Sequence, residues 1–139
     1  MRYVLVLLSL TGLVVSAMAL RIHYSTGTEP CSINDRWDCG IVNRSSYSVI
    51  AHIPVAGIGM VGYLALGILS FARRRIPLSA AAIVGFGFAL HLSAIERNVL
   101  QVWCLYCVIS QGIIALITLL SLIWLIVAAI SKRRVQTAG

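Results

Sequence analysis

Four cysteines carry the reactive chemistry of this chain. Cys31 and Cys39 stand in a polar stretch with seven residues between them, and Cys104 and Cys107 form a C-x-x-C in "QVWCLYCVIS", where a long apolar run begins. An even count invites a disulfide framework, and four cysteines permit three pairings, which spacing alone leaves open. A C-x-x-C on a helix puts both sulfurs on one face. At a helix N-terminus the unpaired N–H groups and the macrodipole favour the thiolate, the species that attacks disulfides. Cys104 then sits nearer the polar loop and Cys107 one turn deeper, toward lipid. A disulfide pair in an aqueous loop can take electrons from a soluble thiol protein and pass them by exchange to the helix pair at the lipid boundary. A lipid-soluble acceptor is needed there. A quinone fits, because it accepts the two electrons and two protons that a dithiol gives up on closing. The plainer reading is a loop staple beside two inert buried thiols. Zinc is disfavoured by the Cys31–Cys39 spacing and by the oxidising side on which the cysteines fall, so no metal site is expected.

Elements that could position these sulfurs are hydrophobic. Of 139 residues, 60% are apolar and 11% charged, with a mean hydropathy of +0.96, outside the range of soluble globular domains. Four stretches approach the roughly 20 residues needed to cross a bilayer: about 3–20, 53–72, 78–95 and 103–130. The expected fold is all-α, a four-helix transmembrane bundle forming one domain over residues 1–139. Tyr3 to Leu20 has a second reading as a secretory signal, with Arg2 ahead of it and Ala17 and Ala19 near its end, which would leave three spans.

The net charge of +7 does not indicate nucleic-acid binding, because the basic residues sit at span ends and form no single patch. Arg2, Arg73 to Arg75 and Lys132 to Arg134 fall on one side of a four-span chain, which the positive-inside rule makes cytoplasmic. On the other side Arg21, Arg36, Arg44 and Arg97 balance Glu29, Asp35, Asp38 and Glu96. All four cysteines face that extracytoplasmic side. The expected location is therefore a membrane crossed several times, with the active side away from the cytoplasm. The loop from Arg21 to His52 is long enough to expect a role. Its later part, "GIVNRSSYSVI", spaces Ile41 and Val42 against Val49 and Ile50, which predicts a short surface helix, apolar side down, lying as a lid over the bundle.

Two motif matches carry little. "GIGMVG", Gly57 to Gly62, satisfies G-x-G-x-x-G but lies inside an apolar span with no preceding strand, so its small residues are expected to serve close helix packing. "NRS" at Asn43 is a glycosylation acceptor by sequence, unusable if the lid lies against the membrane. His91 is an ionisable group within the third span, where such residues are costly and often functional. It is a candidate contact for a quinone oxygen, set against a neutral histidine bonded to a neighbouring helix. Trp103, Tyr106, Trp37 and Tyr24 are candidate pocket aromatics, and Trp124 is expected to face lipid or helix near the cytoplasmic end.

"CSINDRWDCG" at 31–40, "VNRSSYS" at 42–48, "HIPVAGIGMVGY" at 52–63 and "WCLYC" at 103–107 together resemble the vitamin K epoxide reductase family, specifically its bacterial members. The resemblance covers both cysteine pairs, their order, and nearly the whole chain. It implies a four-helix membrane bundle around a quinone pocket capped by the first loop. It further implies that Cys107 reduces the quinone, that Cys104 is its partner in the active disulfide, that Cys39 exchanges with Cys104, and that Cys31 meets the partner protein. Ser45 matches a serine or threonine associated with the pocket. Vertebrate members carry a tyrosine where this chain has Gln111, and the asparagine ahead of the second-span glycine is replaced, near Val55. Both departures weigh against epoxide reduction and leave quinone reduction untouched.

Many bacterial members are fused to a thioredoxin-like domain. None is expected in this chain, so the anticipated partner is a periplasmic DsbA-like thioredoxin-fold protein acting in trans. The expected activity is a quinone-reducing thiol-disulfide oxidoreductase, with ubiquinone, menaquinone or a vitamin K-type quinone as acceptor. DsbB-type reductases, which also have four spans, place the C-x-x-C first, the reverse of the order here. The non-enzyme alternative is a tetraspan scaffold or transporter subunit with a stapled loop.

Overall fold

A computed structural model describes residues 1–24 and 34–139. The chain is predominantly helical, with long helices α1 (Arg2–Tyr24), α3 (Val55–Phe71), α4 (Arg75–Ile95) and α5 (Leu105–Ala138) and a short α2 (Cys39–Arg44). Between α2 and α3 lie a 3-10 turn, Ser46–Ser48, and a hairpin of β1 (Val49–Ile50) and β2 (Ile53–Pro54). Three helical stretches are long and apolar enough to cross a membrane: Arg2–Tyr24, Arg75–Leu100 and Leu105–Ala138. The Val55–Phe71 helix is apolar but shorter.

Helix α1 packs along α3 and α5, and α4 packs against α5 and α3. Their shared core joins Leu5, Tyr63, Leu66, Leu78, Ala82, Ile113, Ile114 and Ile117. Small and hydroxylated side chains are also turned inward, among them Ser9, Ser16, Ser70, Thr118 and Ser121, while Leu7, Val14, Val61, Ile83, Leu119 and Ile126 are exposed. This inversion suits a bilayer, where lipid tails are as apolar as leucine and close backbone approach holds helices together. Gly12 shows the approach at its tightest: a Cβ there would stand 2.3 Å from Cε1 of Tyr63. Across the same interface, a Cβ on Gly59 would meet Ser16 Oγ at 3.0 Å. The packing expectation for "GIGMVG" therefore holds at Gly59, whereas Gly57 and Gly62 face open space.

The basic ends come together. The Arg2 guanidinium lies 5.8 Å from the ring centroid of Phe71 at the end of α3, and that of Arg75 lies 4.9 Å from the ring of Trp124. At the α3–α4 turn, Arg74 N–H donates to Leu69 O at 3.0 Å and Arg73 N–H to Ser70 O at 3.2 Å. This is a Schellman closure whose left-handed position, φ 58°, is held by Arg73 and not by a glycine.

Several boundaries differ from those read in the sequence. The surface helix spans only Cys39–Arg44, because Ser45 is extended and caps it. The segment expected to continue it turns into the hairpin, with Ala51 and His52 both at positive φ as a two-residue connection demands. Val49 and Ile50 form the first strand of that hairpin, and Ile50 reaches the wall of the cavity between the helices. The segment left between the third and fourth expected spans, after residue 95, continues α4 as a π-helical turn, Glu96–Leu100, ended by Gln101 in the left-handed region. Helix α5 runs on to Ala138, well past the residue 130 expected for the last span.

Candidate functional site

The loop reaches the bundle through backbone pairing. Trp103 N–H donates to Arg36 O at 2.6 Å, and Asp38 N–H donates to Trp103 O at 3.0 Å. The indoles of Trp37 and Trp103 lie 6.4 Å apart between centroids. Asn34 supports the approach, its side-chain oxygen accepting from the N–H groups of Arg36 at 2.9 Å and Trp37 at 3.1 Å. Asp38 then caps α2, accepting from Gly40 N–H at 2.8 Å and Ile41 N–H at 3.2 Å. The residue after Asp38 is Cys39 and the residue after Trp103 is Cys104, so the pairing brings the two cysteines into one place.

Both are fully buried and share a cluster with Ile22 and Val42, against which Tyr106 and Cys107 pack. Cys39 is disulfide-bonded, while Cys104 and Cys107 are free thiols. Cys31 lies outside the described residues. Asn43 spans the pair: its Nδ2 donates to Cys39 O at 2.9 Å and to Cys104 Sγ at 3.3 Å. The backbone carbonyl of Asn43 accepts in turn from Ser48 Oγ at 2.7 Å and is in contact with His23 Nδ1.

Cys104 is the N-cap of α5 and has no side-chain cap bond of its own. Its N–H donates to Glu96 Oε2 at 3.3 Å. A hydrogen bond from the Cys107 thiol, helped by the Asn43 amide, holds the Cys104 thiol below its ordinary value, against burial and the nearby Glu96 charge. Cys104 is therefore disposed to be the thiolate, and Cys107 hydrogen-bonds both it and the carboxylate of Glu96.

Below the sulfurs lies a cavity of about 740 Å³, within the range of small-molecule sites. Cys107, Glu96, Asn43, Gln111 and Tyr63 reach its wall, which is otherwise mostly apolar side chains of α1, α3, α4 and α5. Gln111 is hydrogen-bonded by Ser93. Tyr63 donates to Ser110 O at 2.8 Å. The wall suits a planar ring with an apolar tail, with a few polar groups gathered at the sulfur end.

Of the residues singled out from sequence, Cys107, Tyr106 and Gln111 line the cavity, and Cys39 and Cys104 adjoin it in the cluster above. Ser45 does not line it and instead donates to Val42 O at 2.8 Å. Trp103 serves the loop pairing and is not on the wall, and Tyr24 is exposed, its edge against His23. His91 is exposed on the outside of α4, away from the cavity. Trp124 packs against the core under Arg75.

Sequence reasoning passed over Glu96 and Asn43. Glu96 is 4% exposed, and the rule that drew attention to His91 applies to it with more force. It was hidden by a span boundary drawn at Ile95, which put it in a loop. Asn43 was read only as part of a glycosylation triplet, yet it is 6% exposed.

Apolar helices of spanning length, buried cysteines at one end and a cavity beneath them define a membrane-embedded thiol protein. The Vitamin K epoxide reductase family profile matches residues 3–127, and the chain belongs to that family, whose members are membrane oxidoreductases linked to quinones. No curated protein matches the chain significantly.

Proposed function

We propose that this protein is a quinone-reducing thiol-disulfide oxidoreductase that reoxidises a DsbA-like thioredoxin-fold partner and so supports disulfide formation. The observation that carries this reading is the meeting of Cys39 and Cys104 in one buried cluster, bridged by Asn43, with Cys107 on the cavity wall. The partner dithiol reduces the loop disulfide assigned to Cys31 and Cys39. The freed Cys39 thiolate then attacks Cys104 of the oxidised helix pair, forming a Cys39–Cys104 mixed disulfide and releasing Cys107. Cys31 attacks Cys39, which restores the loop disulfide and leaves Cys104 and Cys107 as a dithiol. A quinone in the cavity supplies an acceptor for the two electrons and two protons lost when that dithiol closes. Atoms balance: two S–H bonds break, one S–S bond forms, and two O–H bonds form.

The basic ends gathered at Arg2, Arg73 to Arg75 and Lys132 to Arg134 lie opposite the sulfurs. The positive-inside rule then turns the sulfurs to the periplasm or cell exterior of a bacterial inner membrane.

Mixing purified protein in lipid nanodiscs with a reduced DsbA-like protein and either ubiquinone or menaquinone tests the reading by quinone absorbance. Partner oxidation should track quinol formation one to one. In Cys31→Ser, which keeps the Cys104–Cys107 disulfide and lacks the thiol that resolves the intermediate, the Cys39–Cys104 mixed disulfide should accumulate and be found by peptide mapping. Absence of quinol with either acceptor would favour a non-catalytic scaffold.

A further inference from the structure

Glu96 is a buried carboxylate in a segment otherwise built for lipid, and burying an ionisable group there is costly unless it has partners or a task. It is held at the end of α4 by the π-helical turn Glu96–Leu100, a distortion that recurs at functional sites. Three observations meet on it. Oε2 accepts the Cys104 N–H at 3.3 Å, the side chain is hydrogen-bonded to the Cys107 thiol, and the residue forms part of the cavity wall. It therefore touches both the sulfur that must lose a proton and the space where a proton must arrive.

We propose that Glu96 is a catalytic residue, the base that takes the Cys107 proton as that sulfur gives up electrons and the acid that delivers it into the cavity. The proposal rests on the quinone-reducing reading and adds the proton route to it. Per turnover, Glu96 accepts one proton from Cys107 S–H and passes it to the acceptor oxygen, returning to carboxylate. The second proton leaves Cys104 to water, and the second acceptor oxygen gains one from water. The electron pair leaves through Cys107 as the Cys104–Cys107 bond forms. Among the described residues, Tyr63 from α3 and Tyr106 from α5 share the cavity wall with Glu96, Cys104 is hydrogen-bonded to it, and Arg97 is its exposed neighbour.

Glu96→Gln separates this role from a structural one, because the amide keeps an oxygen for the Cys104 N–H but cannot take a proton. A carboxylate acting only as a negative charge would hold the Cys107 thiolate back, so its removal would speed reactions at that sulfur. A proton acceptor predicts the opposite sign. In pre-reduced protein, single-turnover reduction of a short-chain ubiquinone should slow by about 100-fold in E96Q at neutral pH, the scale of general acid–base catalysis. The deficit should narrow as pH rises and hydroxide takes over. In a Cys104→Ser background without quinone, alkylation of Cys107 by a membrane-permeant maleimide should also slow in E96Q. Unchanged or faster alkylation and quinone reduction in E96Q, beside an active wild type, would overturn the assignment and leave the quinone-reducing reading standing. A wild type that reduces no quinone would overturn that reading, and the assignment with it. Should E96Q not be recovered folded, E96D carries the same decision: a displaced rate–pH curve supports the assignment, and one superimposable on the wild type refutes it.

Discussion

Asn43→Ala removes two hydrogen bonds, one to Cys39 O at 2.9 Å and one to Cys104 Sγ at 3.3 Å. The backbone carbonyl of Asn43, which accepts from Ser48, is untouched. A hydrogen bond to a charged group contributes about 1.5 kcal/mol, so losing the one to a Cys104 thiolate should lower the thiolate-to-thiol ratio about tenfold. The Cys104 thiol is held low in the folded state, with the Cys107 hydrogen bond as the largest cause and Asn43 contributing. A depressed acid stabilises the fold at pH above its unfolded value, and that contribution is lost as pH falls through the folded value. Asn43→Ala should therefore cost stability in the alkaline range and little at acid pH. The assay is the ultraviolet thiolate absorbance of Cys104 against pH in a Cys107→Ser background, where serine keeps a hydroxyl donor at the neighbouring position. Thermal unfolding at two pH values accompanies it. Coincident titrations with and without the Asn43 amide would refute the claim that it stabilises the thiolate.

Gly12→Ala should destabilise the protein by about 1–3 kcal/mol, because the new Cβ would lie 2.3 Å from the Tyr63 ring; thermal unfolding in detergent reads it. Arg73→Gly should do the reverse, adding about 1 kcal/mol by relieving the left-handed φ of 58°, visible as a raised Tm.

Helix existence was legible because hydropathy over a window of spanning length is a strong signal, whereas the apolar residues that line the cavity depend on how the helices face one another. The order and spacing of the cysteines carried the redox reading, and the fold packs Cys39 and Cys104 into one buried cluster. Ends of elements were less legible. Nothing in "NRSSYSVIAHIP" announces a hairpin through Ala51 and His52, since the connection has none of the Asn-Gly, Asp-Gly or Gly-Gly pairs that signal such a turn. The π-helical turn at Glu96 is equally silent, because it depends on how α4 meets the start of α5 and not on local propensity. That one misplaced boundary removed Glu96 from view. His91 illustrates the converse: an ionisable residue within a span attracts attention, yet helix phase turned it outward.

The two backbone hydrogen bonds that tie Trp103 to Arg36 and Asp38 fix the docking of the loop without using a single side-chain identity. In the exchange proposed for Cys39 and Cys104, this leaves little for a swinging arm to do. The covalent hand-over then needs only rotation of the sulfurs about their own side-chain bonds, and large movements fall to arrivals from outside: the docking of the thiol protein above, and the diffusion of the lipid-borne oxidant below.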